Sequence, residues 1–175
     1  MEHRSPNWKP LALSLTVLGA VARFLPHPPN FTPVGSVSLF AGARLPRWQA
    51  YLVPLVLMAI TDAVLRFSPA TPFVYASFLI SVWIGRRLRA TESAWRIAGA
   101  ALACSTQFFL VTNFGTWAAT PYYPHTLAGL AACYTAAIPF FAYTVAGDLF
   151  YSAALFGLYS ILTRRAFTAE RVATA

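Results

Sequence analysis

The stretch from Asn113 to Gly157, NFGTWAATPYYPHTLAGLAACYTAAIPFFAYTVAGDLFYSAALFG, decides the interpretation of the chain. It closes one apolar segment, continues through a polar and aromatic connection at 121–125, and leads to Gly147-Asp148. No charged residue lies between Arg96 and Asp148. Because a lone carboxylate is costly to keep in apolar sequence, it indicates a functional site. We therefore predict that this stretch forms the lid and floor of a binding site at one face of a membrane protein.

The composition favours a lipid bilayer over water. The chain has 175 residues, of which 58% are hydrophobic and 10% are charged, whereas soluble domains have about 25% charged residues. The net charge of +8 comes from basic residues near the ends of apolar runs. That arrangement is typical of membrane topology signals and not of a nucleic-acid surface. We expect one integral membrane domain over 1–175 and no nucleic-acid partner.

The chain lacks the sequence patterns of metal sites and of common enzymes. Cys104 and Cys133 are far apart in apolar sequence, so they form neither a disulfide framework nor a zinc pattern. There is no GxxxxGK[ST], HExxH or Ser-His-Asp constellation. We expect no metal, no cofactor and no enzymatic activity, and any use of ATP would have to come from a partner.

The apolar segments predict an all-α membrane protein with six transmembrane helices. A span needs about 20 apolar residues, and tilt or kinks widen that range. The second segment is too short to face lipid on all sides, so neighbouring helices should surround it. The predicted spans are 10–25, 34–45, 48–67, 72–84, 95–117 and 147–163.

The region 126–162 is too long for one span, because a helix of that length would extend about 55 Å against roughly 30 Å of hydrocarbon. We predict a break at Pro139 and another before Gly147. Residues 126–138 would then form a short re-entrant or surface helix before the last span. A seventh span at 126–146 is the alternative, and it would leave only Gly147-Asp148 as the turn.

The basic residues predict the orientation in the membrane. With six spans and a cytoplasmic N-terminus, only Arg23 and Arg66 of the 13 Lys and Arg residues fall outside. This bias fits the positive-inside rule and predicts that both termini are cytoplasmic. The cytoplasmic residues are Arg4, Lys9, Arg44, Arg47, Arg86, Arg87, Arg89, Arg96, Arg164, Arg165 and Arg171.

Three of the predicted helices direct polar residues towards the outer half of the bundle. Helical spacing defines one stripe on each of the third, fifth and sixth spans. The stripes are Tyr51, Leu55, Met58 and Asp62; Gly99, Ala103, Thr106, Leu110, Asn113 and Trp117; and Asp148, Ser152, Leu155 and Tyr159. A mostly apolar pocket with a few polar groups is how small molecules are bound. The predicted ligand-binding residues are Arg23, Asn30, Asp62, Asn113, Trp117, Tyr123 and Asp148.

Structural roles for these residues remain open. Asp62 could pair with Arg66, four positions along the same helix. Asp148 could cap the final helix, and Asn113 could link two helices.

Several motifs carry a resemblance to a known family. PPNFTPVGSVSLFAGA, an Asp-bearing third helix and NFGTW…YYPHTLAGL…CYTAAIPFF…GDLFYSAALFG resemble an uncharacterised family of small bacterial integral membrane proteins. That family is distantly similar to the S components, the substrate-binding subunits of energy-coupling-factor vitamin transporters. IPFFAYTVAGDLFY is similar to the Pro-Phe and Pro-Gly-Asp-Leu motifs of S components through Pro139, Phe140, Gly147, Asp148 and Leu149. Ala146 replaces the usual proline, and Phe150 and Tyr151 stand where a lysine is common, so the resemblance does not define the ligand.

The resemblance also implies a location and partners. Ala12, Thr16 and Ala20 form a stripe of small residues, which permits close helix approach in membranes. In S components such a stripe contacts a transmembrane coupling subunit, so that subunit and its ATPases are candidate partners here, beside lipid and the ligand. The implied location is the bacterial cytoplasmic (inner) membrane, with several passes.

We therefore expect a membrane-embedded binding subunit of a transporter that captures a vitamin- or cofactor-like molecule from the outer face. The loops 26–33 and 121–125 would close over the ligand. The alternative is a structural accessory subunit of a larger membrane complex, which would dock through the small-residue stripe.

Overall fold

The computed structural model describes residues 8–26, 28–65, 67–89 and 91–173, and all regular structure in these ranges is helical. A short 3-10 helix, Ala22–Phe24, extends the first α-helix. The prediction of an all-α chain is confirmed, and α1 to α5 match the first five predicted segments to within a few residues. The α-helices are α1 Lys9–Val21, α2 Val34–Arg44, α3 Arg47–Leu65, α4 Thr71–Arg86, α5 Ala94–Ala119 and α6 Leu127–Ala173.

The short helix α2 is the centre of the bundle. It packs against each of the other five α-helices, and all its residues except Gly35 and Arg44 are buried. Two glycines allow α2 to approach α4 closely. A Cβ on Gly42 would overlap the Val82 carbonyl, and a Cβ on Gly85 would overlap the Leu39 carbonyl. The prediction that neighbouring helices surround this segment is confirmed.

Arginine contacts join several helix termini at one end of the bundle, which we call the basic end. The Arg44 guanidinium donates to the carbonyls of Leu88 (3.3 Å) and Thr91 (2.8 Å). Arg164 forms a 2.6 Å ion pair with Glu92, just before α5. The ends of α2 and α4, the start of α5 and the distal part of α6 therefore lie together.

Helix α6 is continuous where the sequence predicted interruptions. It runs for 47 residues through Pro139 and Gly147, which corresponds to about 70 Å. The predicted short helix at 126–138 and the last helix beginning at Gly147 are therefore wrong, and so is the turn required for a seventh span.

Packing against α5 explains why Pro139 does not end the helix. Proline removes one backbone hydrogen bond, but contacts on both sides of Pro139 hold α6 in place. Before it, the Tyr134 hydroxyl donates to the Leu110 carbonyl at 2.6 Å. After it, the Phe141 ring lies 4.9 Å from the Phe109 ring. These contacts favour continuation of the helix over the local tendency to break.

Apolar side chains cover much of the outside of the bundle. On α3, Trp48, Leu52, Val56 and Ile60 recur every four residues and are each 45–63% exposed. Exposed large apolar residues also occur on α1, α4, α5 and α6. Two helical segments, Ala94–Ala119 and Leu127–Ala166, are long and apolar enough to cross a membrane, and Arg47–Ile60 is a shorter apolar segment.

Candidate functional site

Asp148 is a buried carboxylate near the middle of α6, with 3% of its surface exposed. The Ser105 hydroxyl of α5 donates to its Oδ2 at 2.7 Å. The Ser36 hydroxyl of α2 donates to the Asp148 backbone carbonyl at 2.8 Å and lies 3.4 Å from Oδ1. The Ser152 hydroxyl, one turn further along α6, donates to the Ser36 hydroxyl at 3.1 Å. Two serines from neighbouring helices thus contact Asp148, and a third serine is bonded to one of them.

This position excludes the interpretation of Asp148 as a helix cap. A capping residue precedes the first turn of a helix, whereas Asp148 lies far inside α6. The adjacent Gly147 allows the loop before α2 to pack closely on α6, because its Cα faces the backbone of that loop. A Cβ there would lie 3.2 Å from the Phe31 Cα and 3.3 Å from the Thr32 nitrogen. The Gly-Asp pair therefore marks a close approach between a loop and a helix.

The loop at 28–33 lies across α6 beside Asp148. Asn30 has a φ of 63°, a left-handed conformation that Asn adopts more readily than most residues. The next residue, Phe31, packs its ring 5.9 Å from Phe150 and 5.6 Å from Tyr151. These contacts hold Asn30 and Thr32 near the buried carboxylate.

Asp62 forms its ion pair with Arg23. The Arg23 Nη1 lies 2.8 Å from the Asp62 Oδ1 and 3.2 Å from the Met58 sulfur. Both side chains are mostly shielded, at 19% and 8% exposure. The alternative partner, Arg66, lies outside the described residues. This pair joins α3 to the segment after α1, and a ligand contact by Asp62 stays a prediction.

A cavity of about 230 Å³, which we call the Arg23 cavity, brings these residues together. Arg23, Asn30 and Asp148 line it, and Asp62 is held beside it by the ion pair. Its apolar walls come from α2, α3, α4 and α5. The lining consists of Arg23, Asn30, Thr32, Val34, Gly35, Met58, Val74, Phe78, Phe108, Thr144 and Asp148.

The other three predicted site residues lie away from this cavity, at the connection between α5 and α6. The Asn113 amide donates to the Phe109 carbonyl at 2.8 Å. The Trp117 indole donates to the Pro124 carbonyl at 2.9 Å, and its ring contacts His125. Tyr123 is half-buried in the same connection, where the other residues of 121–126 are exposed. This second predicted lid therefore folds onto its own helices and does not line the Arg23 cavity.

The interior face of α5 in the structure differs from the face that the sequence predicted. The predicted stripe includes Gly99, Ala103, Thr106 and Leu110, all of which are exposed. The buried face is Ala101, Cys104 and Ser105. The predicted stripes on α3 and α6 do face inwards, since Met58, Asp62, Asp148 and Ser152 are buried. Helical spacing alone could not separate the two faces of α5, because both carry small and polar residues.

A second cavity, of about 330 Å³, opens towards the basic end, and we call it the Arg44 cavity. The Arg44 guanidinium lies 5.1 Å from the Phe156 ring and 5.4 Å from the Tyr159 ring. Its lining is Arg44, Glu92, Ala94, Ile97, Ala98, Leu149, Ser152, Ala153, Phe156, Gly157, Tyr159 and Ser160. The sequence analysis identified no site here.

The chain was compared with protein-family models, curated proteins and solved structures. Residues 4–171 match the model of a family of unknown function, DUF6580. The chain belongs to DUF6580. No curated protein and no solved structure matches it. The DUF6580 match spans every residue of both cavities and the serines around Asp148.

The small-residue stripe of this DUF6580 member packs within the chain. Ala12 and Thr16 are fully buried, and Ala20 packs against the core. The Thr16 hydroxyl donates to the Ala12 carbonyl at 2.8 Å. Contact between this stripe and a partner stays a prediction, and it would require the stripe to become exposed.

Ser36, Ser105 and Ser152 were not predicted as ligand-binding residues of this DUF6580 member. One signal could have found Ser36: it lies in a segment predicted to be enclosed, and an enclosed hydroxyl must find a hydrogen-bond partner. Ser152 was on the predicted Asp148 stripe but was not assigned a role. No comparable signal separated Ser105 from its neighbours on α5.

Proposed function

We propose that this DUF6580 member is an integral membrane protein that binds a small molecule in the Arg23 cavity, which opens towards the outer face. One observation carries the proposal. Arg23 and Asn30, which precede α2, and Asp148, which lies far along the chain in α6, were all expected to contact a ligand, and they line one cavity. We further propose six spans and the role of a transporter binding subunit that relies on partners for coupling to ATP.

The membrane location is supported by the outer surface of the bundle. Monomeric soluble proteins rarely expose contiguous apolar patches larger than a few hundred Å². Here α3 exposes the apolar stripe of Trp48, Leu52, Val56 and Ile60, and exposed apolar side chains occur on four other α-helices. Hydrocarbon would cover these surfaces. Because α6 is about 70 Å long and hydrocarbon about 30 Å thick, part of α6 would extend beyond the hydrocarbon.

The orientation is supported by the charge distribution. Arg44, Arg89 and Arg164 all lie at the basic end, where they contact neighbouring chain segments. The positive-inside rule assigns that end to the cytoplasm. The Arg23 cavity then faces the opposite side, and both termini would be cytoplasmic.

The cavity indicates the class of ligand. Its volume of about 230 Å³ is below the roughly 300–1,000 Å³ of sites for drug-sized molecules, so the ligand would be small. Met58, Phe78 and Phe108 provide apolar walls. Asp148 is bonded to neutral hydroxyls, and Arg23 is paired with Asp62. A compact molecule with an amine or hydroxyl donor and an apolar body would match these groups.

The test is small-molecule retention by the purified protein. Compounds extracted from the wild-type protein, Asp148→Asn and Asn113→Ala would be compared by mass spectrometry. Loss of a charge-assisted hydrogen bond of about 1.5–3 kcal/mol should reduce affinity roughly tenfold to a hundredfold in Asp148→Asn. Asn113→Ala is the matched control, because Asn113 lies outside the cavity lining.

We expect one compound to be enriched in the wild-type and Asn113→Ala preparations and depleted in Asp148→Asn. Equal retention in all three preparations would remove Asp148 from the binding site. Depletion in Asn113→Ala alone would move the site to the connection between α5 and α6.

A further inference from the structure

A chain of hydroxyl and carboxyl groups connects the two cavities. Asp148 lines the Arg23 cavity, and Ser152 lines the Arg44 cavity. Ser36 lies between them, 3.4 Å from the Asp148 Oδ1 and 3.1 Å from the Ser152 hydroxyl. Three side chains thus form a path from one cavity to the other.

The hydrogen bonds along this path have one direction. The Ser152 hydroxyl donates to the Ser36 hydroxyl, and the Ser36 hydroxyl donates to oxygens of Asp148. A proton entering at Ser152 can reach the carboxylate when the Ser36 hydroxyl turns from the Asp148 backbone carbonyl, at 2.8 Å, to the Asp148 Oδ1, at 3.4 Å. Ser105 donates to the other carboxylate oxygen from α5 and holds it in place.

The path lies deep within the bundle. Ser105 is roughly 17 Å along α5 from Ala94, in a helix of 26 residues that is about 39 Å long. The carboxylate that it holds is therefore near the middle of a proposed span. Ser36, Asp148 and Ser152 are each no more than 3% exposed. Carboxylates held at such depth in membrane proteins are typical of ion pathways and proton relays.

We propose that Asp148, Ser36 and Ser152 form a proton path between the Arg44 and Arg23 cavities. A hydronium ion in the Arg44 cavity gives a proton to the Ser152 oxygen and becomes water, as Ser152 passes its own proton to Ser36. Ser36 passes its proton to the Asp148 Oδ1, which becomes a neutral carboxylic acid. The acid then releases that proton to water in the Arg23 cavity. One proton enters and one leaves, and the reverse sequence carries protons in the opposite direction.

Other titratable groups face the path from the neighbouring elements. On α5, the buried Cys104 precedes Ser105 on the inward face of the helix. At the Arg23 cavity, the ion pair of Arg23 and Asp62 combines opposite charges. The Arg44 cavity has Arg44 and Glu92 in its lining. From α2, the residues next to Asp148 are Gly35 and Ser36, and neither has a charged side chain.

This inference rests on the proposed membrane location but not on ligand binding, because the path needs only water in both cavities. The purified protein would be reconstituted into liposomes that contain a pH-sensitive dye. A potassium gradient with valinomycin would drive protons through the protein. Wild-type protein would be compared with Asp148→Asn, Ser152→Ala, Ser77→Ala and protein-free liposomes.

We expect proton flux in wild-type liposomes and only the protein-free rate with Asp148→Asn. Ser152→Ala should reduce the flux about tenfold, because it removes one donor while the carboxylate stays. Ser77→Ala is the matched control, since its buried hydroxyl donates to the Phe73 carbonyl outside the path. It should keep wild-type flux.

Three results would overturn the proposal. They are wild-type flux no greater than in protein-free liposomes, wild-type flux in Asp148→Asn, and an equal loss in Ser77→Ala and Ser152→Ala. Size-exclusion profiles would establish that each variant is folded before flux is measured. Should Asp148→Asn fail to fold, the comparison of Ser152→Ala with Ser77→Ala decides the question.

Discussion

Replacement of Gly35 by alanine should perturb the surroundings of Asp148 directly. Gly35 lies on α2, and a Cβ added there would overlap the Asp148 Oδ1 and lie 3.0 Å from its Cγ. The carboxylate has little space to move, because Ser105 holds its other oxygen at 2.7 Å and the residue is 3% exposed. The added methyl group must therefore displace the carboxylate or separate α2 from α6.

The expected loss of stability follows from three effects. Overpacking a core costs about 1–3 kcal/mol. A lost hydrogen bond to a charged group costs roughly 1.5–3 kcal/mol more. The higher helix propensity of alanine offsets about 1 kcal/mol of this loss. The net loss in the free energy of unfolding should be about 1.5–5 kcal/mol.

Chemical unfolding in detergent micelles, followed by tryptophan fluorescence, would measure this loss. Gly99→Ala is the matched control, because a Cβ at Gly99 has no atom within 4 Å, and this variant should be as stable as the wild type or more so. In an Asp148→Ala background, Gly35→Ala should lose most of its effect, since the overlapping carboxylate is gone. A Gly35→Ala protein as stable as Gly99→Ala would refute the close packing of Gly35 against Asp148.

Two further changes test other parts of the structure. Asp62→Ala should destabilise the protein by about 3 kcal/mol, because it leaves Arg23 as a mostly shielded charge. The double variant Arg23→Ala/Asp62→Ala should be less destabilised than the sum of the single losses in the same unfolding assay, and strict additivity would argue against the ion pair. Pro139→Ala should stabilise the protein, by up to about 3 kcal/mol, since it restores a backbone hydrogen bond within a continuous α6. A destabilised Pro139→Ala would indicate instead that the chain needs a break at this position.

The elements that the sequence predicted well were those with a strong local signal. The short segment at 34–45 has many Gly and Ser residues and is too short to span lipid, which correctly indicated an enclosed α2. Arg23, Asn30 and Asp148 are polar residues in largely apolar surroundings, and all three line one cavity.

The errors came from features that depend on contacts between distant segments. Pro139 and Gly147 have the local character of helix breakers, yet α6 continues because α5 and the 28–33 loop pack against it. Ser105 reaches the Asp148 carboxylate only because α5 packs against α6. The stripe assigned to α5 faces outwards because the order of helices around α2 cannot be read from spacing along one helix.

The central claim, that a ligand cavity opens to the outside opposite a basic cytoplasmic end, can be tested by cysteine labelling. In a background with Cys104 and Cys133 replaced by alanine, Thr32→Cys would report on the Arg23 cavity and Ser160→Cys on the Arg44 cavity. A membrane-impermeant maleimide should label Thr32→Cys in intact cells and Ser160→Cys only in inverted membrane vesicles. Labelling of both positions from the same side would contradict the account.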